Sequence, residues 1–427
     1  MSRYQSVSQV KQSKPLYTMI VVVVLMFVGL TGAWLIVMRD EVGHMFGLSE
    51  PDNVDPRSIP AQNTQVDQDF RVTGMARDWD SEYSLIFSTD DTATAHSALV
   101  DSNFTAPLVP FRNGLFLAVD NFNRVHFFNP ASGNLEPGPV LGGATYPTEK
   151  PQVSPNNCFV GYKVHASRTV SLSVTNGETV ATGTLGTEDF ADVMVNDDGS
   201  AVAVSPIVRY EGGVSVPQRE LQVMSLLFDD SSTVRLLTLP EGKTARGAFV
   251  SGTAQEPVVL VVYEPPSGGV ASWSLFTVDG GGFREEPGAP LSPGDESWRA
   301  YTFVPEGWEH RGGELVSGHA HYHDVGVTSI GFPSSPSDSL GASTCEPTFP
   351  KKFTTEQLTL DRNVAAVFLL RRSDLYLGLI NLDECTIPLV PLPFDRSLLQ
   401  WGGVELGQVT GFYVTDPGLL ESVGYHP

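Results

Sequence analysis

Residues 124–135 read RVHFFNPASGNL, and the predicted fold rests on the pattern in this stretch. A short strand-like run, Arg124–Phe128, leads into a turn of Asn, Pro, Ser and Gly residues, and a second run returns from Leu135. These residue types favour turns because they fix φ, allow a positive φ or bond to their own backbone. The stretch therefore predicts a β-hairpin.

The same hairpin pattern recurs along the chain. Further copies begin with the runs Thr169–Val174, Leu221–Phe228, Trp273–Val278, Val325–Phe332 and Leu375–Leu382. Successive turns lie about 45 to 54 residues apart, which fits one four-stranded propeller blade with loop insertions. A second repeat supports this spacing, because VSPNNCFVGY from Val153 and VNDDGSAVAV from Val195 match at an offset of 42 residues, and LDRNVAAVF from Leu360 follows the same pattern.

In these turns the chain resembles WD40-like and TolB-type β-propeller repeats, whose blades often carry a turn like Ser-Pro-Asp-Gly before the second strand. No copy here has that turn in full. The resemblance covers about residues 70 to 420 and implies an all-β propeller of six or seven blades, whose members mostly dock partners on their faces. A pair of β-sandwiches could be built from the same short strands and is the alternative fold.

The composition agrees with many short strands and excludes one class of partner. The 427 residues include 41 glycines and 31 prolines, which is typical of strands joined by turns. With 26 basic and 49 acidic residues, the formal net charge is −23. We expect no nucleic-acid binding, because contacts to phosphates need a basic surface.

A charge-free apolar run of 23 residues extends from Leu16 to Met38. A helix of that length, at about 1.5 Å per residue, spans the roughly 30 Å hydrocarbon layer of a membrane. Basic residues without an acidic one among them precede the run: Arg3, Lys11 and Lys14. The positive-inside bias therefore predicts a cytoplasmic N-terminus and an extracytoplasmic remainder. A signal peptide cleaved near Thr31-Gly32-Ala33 is the alternative.

The predicted organisation has five parts. They are a cytoplasmic tail (1–15), a single transmembrane helix (16–38), an acidic linker with prolines (39–68), a β-propeller domain (69–420) and a C-terminal tail (421–427). This organisation predicts a signal-anchored, single-pass protein of the cell membrane, with its folded domain in the periplasm or outside the cell.

Four of the nine histidines lie between His310 and His323. His319, His321 and His323 alternate, so on a strand all three imidazoles would share one face, with neighbours about 6.6 Å apart. Two of them could then bind Zn²⁺ or Cu²⁺, with Asp324 supporting a ligand and His310 as a further ligand. The alternative is an exposed polar strand face without a metal, and we expect no other cofactor.

Acidic clusters and catalytic motifs give weaker signals. The clusters Asp78–Glu82 and Asp197-Asp198-Gly199 could hold Ca²⁺, but neither has the spacing of an EF-hand loop, so solvated surface is the simpler interpretation. We find no Gly-x-Ser-x-Gly elbow, His-Glu-x-x-His motif, phosphate-binding loop or dinucleotide fingerprint. No catalytic residue is therefore assigned.

The chain has three cysteines. Cys345 and Cys385 are 40 residues apart, close to the blade spacing, so they could form a disulfide between neighbouring blades. Cys158 would then be the odd cysteine, more often a buried apolar filler than a reactive thiol.

These features together predict a membrane-anchored, extracytoplasmic binding or scaffolding module with protein partners in a cell-envelope assembly. One alternative is an envelope hydrolase or lyase, which would need a pair of carboxylates about 5–10 Å apart on a propeller face. The other is a metal-binding receptor that uses His319, His321 and His323.

Overall fold

The computed structural model describes part of the chain between Phe70 and Glu421. The described residues are 70–77, 84–90, 95–100, 104–142, 150–166, 169–186, 190–206, 208–211, 214–217, 219–229, 231–265, 270–289, 309–311, 314–321, 324–348, 352–361, 364–371, 374–395, 400–401, 404–405, 408–415 and 420–421. The chain divides into two units between Ser58 and Ile59, and all described residues belong to the second unit.

The predicted transmembrane segment, residues 16–38, lies outside the described residues, as do the predicted tail 1–15 and linker 39–68. In the portion that the structure describes, no helix is long and apolar enough to span a bilayer. Membrane anchoring therefore stays a prediction from the sequence.

The described strands form seven four-stranded antiparallel sheets. Sheet 1 contains β1 (Phe70–Arg77), β2 (Ser84–Asp90), β3 (Ala95–Val100) and β32 (Gln408–Val414). Sheet 2 contains β4 (Phe104–Pro110), β5 (Phe116–Asp120), β6 (Arg124–Asn129) and β7 (Asn134–Val140), with a 3-10 turn at Arg112–Gly114. Sheet 3 contains β8 (Gln152–Val153), β9 (Val160–Ala166), β10 (Thr169–Thr175) and β11 (Val180–Leu185).

The next two sheets follow the same plan, with one insertion. Sheet 4 contains β12 (Asp192–Val195), β13 (Ala201–Val204), β16 (Glu220–Leu226) and β17 (Ser232–Thr238). Between β13 and β16 the chain forms a separate hairpin of β14 (Val208–Glu211) and β15 (Val214–Pro217). Sheet 5 contains β18 (Ala245–Gly252), β19 (Pro257–Tyr263), β20 (Ser272–Asp279) and β21 (Gly282–Pro287).

Two more sheets complete the set. Sheet 6 contains β22 (Glu309–Arg311), β23 (Glu314–His321), β24 (Asp324–Gly331) and β25 (Ala342–Cys345). Sheet 7 contains β26 (Thr354–Asp361), β27 (Val364–Arg371), β28 (Asp374–Ile380) and β29 (Leu389–Asp395). A short hairpin of β30 (Gln400–Trp401) and β31 (Val404–Glu405) precedes β32.

The ring closes through pairing between the two ends of the fold. β32 pairs antiparallel with β1, from Val72 opposite Val414 to Arg77 opposite Gln408, so the last strand completes the first sheet. First strands of consecutive sheets contact each other at β8 and β12 and at β12 and β18, and β32 contacts both β26 and β4. The structure is therefore a seven-bladed β-propeller, which fixes the blade number and excludes the pair of sandwiches.

The two sequence repeats correspond to two turns of the blade. In sheets 2 to 7 the repeated hairpin is the turn between the third and fourth strands, as in β6–β7 and β10–β11. The second repeat is the turn between the first and second strands of sheets 3, 4 and 7. Gly199, in one of these turns, has φ +79°, and a Cβ there would approach the Phe159 ring to 2.5 Å, so only glycine fits.

The core consists of buried residues between neighbouring sheets. One cluster of buried apolar residues joins sheets 1, 2 and 3. Four further clusters join sheets 3 and 4, sheets 4 and 5, sheets 5 and 6, and sheets 6 and 7. Middle strands such as β19, PVVLVVY, are apolar on both faces because a sheet packs on each side of them. Burial also raises the pKa of the Tyr162 hydroxyl far above its ordinary value, so this group stays neutral inside the core.

A disulfide joins sheets 6 and 7. It links Cys345, in the outer strand β25, with Cys385, in the turn between β28 and β29. Cys158 is a free, partly exposed cysteine in the turn between β8 and β9.

Replacing Cys385 with Ser should lower the free energy of unfolding by about 2–4 kcal/mol, because the disulfide restricts the unfolded chain across a separation of 40 residues. Urea unfolding at equilibrium measures the change. The matched control is Cys158→Ser, which removes a free thiol and should change the unfolding free energy by less than about 0.5 kcal/mol. Equal losses for the two variants would contradict a stabilising role for the disulfide.

Candidate functional site

The carboxylate of Asp192 joins three sheets at the centre of the ring. Asp192 is the first residue of β12, in sheet 4, and its side chain is 3% exposed. Its Oδ2 accepts a hydrogen bond from the Val250 backbone N–H of sheet 5, at 2.9 Å. The same oxygen lies 2.9 Å from Nε2 of His310, in β22 of sheet 6.

The bond between Asp192 and His310 connects two sheets that have another sheet between them. Sheets 4 and 6 are not neighbours, because sheet 5 lies between them, and both residues belong to the first strands of their sheets. The His310 side chain is 17% exposed, so the pair is largely removed from water. A carboxylate only accepts, so Nε2 carries the proton, and any chemistry of this imidazole would have to use Nδ1.

A second polar link crosses the ring between sheets 3 and 7. The ε-ammonium of Lys150, two residues before β8, donates to the Leu360 carbonyl of β26 at 2.8 Å. The Leu360 carbonyl lies near the end of the innermost strand of sheet 7. Since sheets 3 and 7 are not neighbours, this hydrogen bond connects two non-adjacent blades. Polar groups of the protein thus bond to one another across the centre.

A second His–Asp pair serves a single turn. The Asp120 Oδ1 accepts backbone N–H bonds from Phe122 at 2.8 Å and Arg124 at 2.9 Å, and Oδ2 lies 2.8 Å from His126 Nε2. All of these groups belong to the turn between β5 and β6 or to the strands beside it. This pair stabilises one hairpin of sheet 2, whereas Asp192 and His310 connect separate sheets.

The predicted metal ligands are only partly within the described residues. His319 and His321 lie on β23, opposite Gly326 and Asp324 of β24, while His323 and the side chain of His321 lie outside the described residues. His319 Nε2 is 3.6 Å from Asp324 Oδ2, and both side chains are more than half exposed.

Among the residues that the structure describes, no three metal-ligating side chains come together. His310, which the sequence suggested as a further ligand, bonds to Asp192 instead. The metal site at His319, His321 and His323 therefore stays a prediction.

The acidic turn at Asp197 and Asp198 uses its carboxylates for backbone hydrogen bonds. Asp197 Oδ1 accepts the Asn156 N–H of sheet 3 at 2.7 Å, and Asp198 Oδ1 accepts the Ser200 N–H at 2.9 Å. These bonds account for the acidic residues without an ion. The other candidate cluster, residues 78–82, lies outside the described residues.

Comparison with known proteins assigns neither a family nor a function to this chain. No family model matches the chain, and no curated protein matches it significantly. Its structure is similar to a functionally unknown protein from Desulfotomaculum acetoxidans, with 8% identity, a TM-score of 0.44, and coverage of 81% of this chain and 99% of that one.

Two further solved structures match at similar levels. Apo AztD from Citrobacter koseri has 12% identity and a TM-score of 0.38, and the match covers 77% of this chain and 84% of that one. The C-terminal WD40 domain of Sif2 has 10% identity and a TM-score of 0.38, over 76% of this chain and 83% of that one. Likenesses at this level carry no conclusion about the function of this chain.

Replacing Asp192 with Ala should lower the free energy of unfolding by about 3–5 kcal/mol, because the partly buried His310 and the buried Val250 N–H both lose their acceptor. A double-mutant cycle with His310→Ala should give a coupling of about 0.5–3 kcal/mol. Urea unfolding at constant pH measures both quantities.

The matched control is Asp324→Ala, which removes an exposed carboxylate beside His319. Exposed ion pairs contribute little, so this change should cost less than about 1 kcal/mol. Equal effects for Asp192→Ala and Asp324→Ala, or no coupling to His310, would show that the link across the ring does not hold the sheets.

Proposed function

We propose that this chain is a binding and scaffolding module, held at a membrane by residues 16–38, whose propeller docks protein partners in a cell-envelope assembly. The observation that carries the proposal is the Asp192–His310 bond across the ring, with Val250 as a third participant. Asp192, His310 and Lys150 already bond to other groups of the protein. Because these central groups are engaged, we place partner binding on the turns and outer strands.

Rigidity is what such a module contributes to binding. Core clusters join the sheets in order from sheet 1 to sheet 7, and partly buried polar links connect blades that are not neighbours. A surface that is already ordered loses less conformational entropy when it binds, so more of the contact energy appears as affinity. A propeller linked across its centre therefore suits the presentation of fixed docking surfaces.

The proposed location follows from charge and from the apolar segment. The net charge of −23 favours solubility and repels anionic lipid headgroups, so the folded part should stand away from the membrane on its linker. An anchor at residues 16–38 would raise the effective concentration of the propeller near membrane partners. The positive-inside bias of the N-terminus supports an extracytoplasmic propeller.

Cys158 provides a test of the topology. It is free and partly exposed, whereas Cys345 and Cys385 are bonded to each other, so a membrane-impermeant maleimide should label Cys158 in intact cells or spheroplasts. Mass spectrometry of the purified chain locates the label, and Cys158→Ser is the unlabelled control. Labelling that requires lysis of the membrane would place the propeller in the cytoplasm and refute the proposed location.

Partner capture tests the scaffolding function. The full-length chain, affinity-tagged and purified from gently solubilised membranes, should co-purify with a defined set of envelope proteins. Asp192→Ala should reduce that set at least several-fold relative to the exposed control Asp324→Ala, because it removes the link that orders the blades. Recovery of the chain alone, together with turnover of a small substrate, would refute the scaffold and support a hydrolase or lyase.

A further inference from the structure

The outer strand of sheet 4, β17, has one edge that is hydrogen-bonded to no described strand, and it lies close to β21 of sheet 5. β17 is the last strand of the sheet and pairs with β16 over its whole length, from Glu220 opposite Thr238 to Leu226 opposite Ser232. Among the described strands, β16 is the only one that is hydrogen-bonded to β17. The backbone N–H and C=O groups on its other edge are therefore arranged to accept a further strand.

One face of β17 exposes apolar side chains. Val234 is 49% exposed and Leu236 is 54% exposed, and their spacing of two residues places them on the same face of the strand. Leu237 points to the opposite face, where it is buried in the core shared with sheet 5. The exposed face is thus a short apolar stripe beside an open edge.

Three of the other six outer strands carry features that block edge pairing, whereas β3, β11 and β25 contain neither proline nor a Lys, Arg, Asp or Glu residue. β7 contains Pro137 and Pro139, and β29 contains Pro391 and Pro393. β21, which reads GFREEP, has three charged residues and a proline. Proline removes a donor and charge opposes pairing, so these edges are protected. β17 reads STVRLLT, with no proline and with Arg235 as its single charged residue, and unlike β11 and β25 it exposes large apolar side chains.

The charge of the chain and of the turn before β17 indicates which kind of strand could bind at this edge. A second copy of this chain would bring another net charge of −23, which opposes self-association. The turn that leads into β17 carries Asp229, whose carboxylate accepts hydrogen bonds from the Ser231 hydroxyl and N–H. These bonds lower the pKa of Asp229, so the turn keeps its negative charge beside the edge. A basic residue at that end of an added strand would be attracted.

We propose that β17 binds an extended segment of a partner protein, which adds to sheet 4 as a fifth strand. Its backbone pairs with the free edge of β17, alternate apolar side chains lie beside Val234 and Leu236, and a Lys or Arg lies near Asp229. This inference rests on the proposed binding function and names the chemistry of one partner.

A synthetic strand tests the inference on the full-length chain in mild detergent. The probe is a fluorescent peptide, Lys-Val-Thr-Val-Thr-Val-Lys, and its control replaces the central Val with Pro, which lacks the backbone donor. Fluorescence anisotropy should show saturable binding of the probe and much weaker binding of the control. Hydrogen exchange should show added protection of alternate amides of residues 232–238, those that face the free edge, when the probe is bound.

Variants of the apolar stripe locate the site. Leu236→Lys should weaken probe binding at least about tenfold, because it removes apolar contact area and adds a repulsive charge. Leu236→Thr keeps strand propensity and should weaken binding to a smaller extent. The matched control is Val140→Lys, at a valine of 48% exposure on β7, the edge that prolines protect, and it should leave the affinity unchanged. Urea unfolding checks that each variant is folded.

Several results would overturn the inference. They are no saturable binding of the probe, equal affinity for the proline peptide, equal affinity of Leu236→Lys and wild type, and a dimer in light scattering that Leu236→Lys abolishes. The experiments separate this inference from the proposed function. If envelope partners still co-purify with Leu236→Lys, the scaffolding function stands and β17 is refuted as their docking edge. If the probe binds at β17 but no partner is captured from membranes, strand addition at β17 stands and the scaffolding function is refuted.

Discussion

The pairing of β32 with β1 is the constraint on which the rest of the propeller depends. Residues 408–414 supply the innermost strand of a sheet whose other three strands lie at the beginning of the described fold. Each apolar face then meets a neighbouring sheet, and sheets 1 and 7 are no longer exposed ends. The closing contact is among the most distant in sequence, so its chain entropy must be overcome before the ring gains its full core.

Closure also makes the central polar links possible. His310 reaches Asp192 past an intervening sheet, and Lys150 reaches Leu360 between sheets 3 and 7, because the ring brings first strands to a common centre. Buried polar pairs offer modest net stability, yet breaking one partner is costly. Their value in this ring is that they hold the blades in one arrangement, since an altered blade register would leave the buried Asp192 carboxylate without its partner.

The sequence predicted the parts of this fold that depend on local chemistry. Turns such as Asn176-Gly177 are read from a few adjacent residues, and the hairpins they form are the third and fourth strands of the blades. The blade number needed the structure, because sheet 1 draws strands from both ends of the chain and sheet 4 contains the inserted hairpin β14–β15. The pair of Asp192 and His310 left no local signal, since 118 residues separate its members. Proximity in sequence instead grouped His310 with His319.

In sheet 4 the innermost strand is fixed by buried hydrogen bonds, and this order is what the free edge of the outermost strand needs in order to bind a partner. Its innermost strand begins with Asp192, which fixes it to sheets 5 and 6, while its outermost strand β17 has an open edge with Val234 and Leu236 exposed. A strand that joins an edge must order its own backbone, and it binds well only when the accepting edge is already ordered. The hydrogen bonds of Asp192 fix the innermost strand of the sheet and do not involve β17. Loss of that carboxylate would thus act on a partner at β17 through the order of the sheet, whereas a change at Leu236 acts through contact.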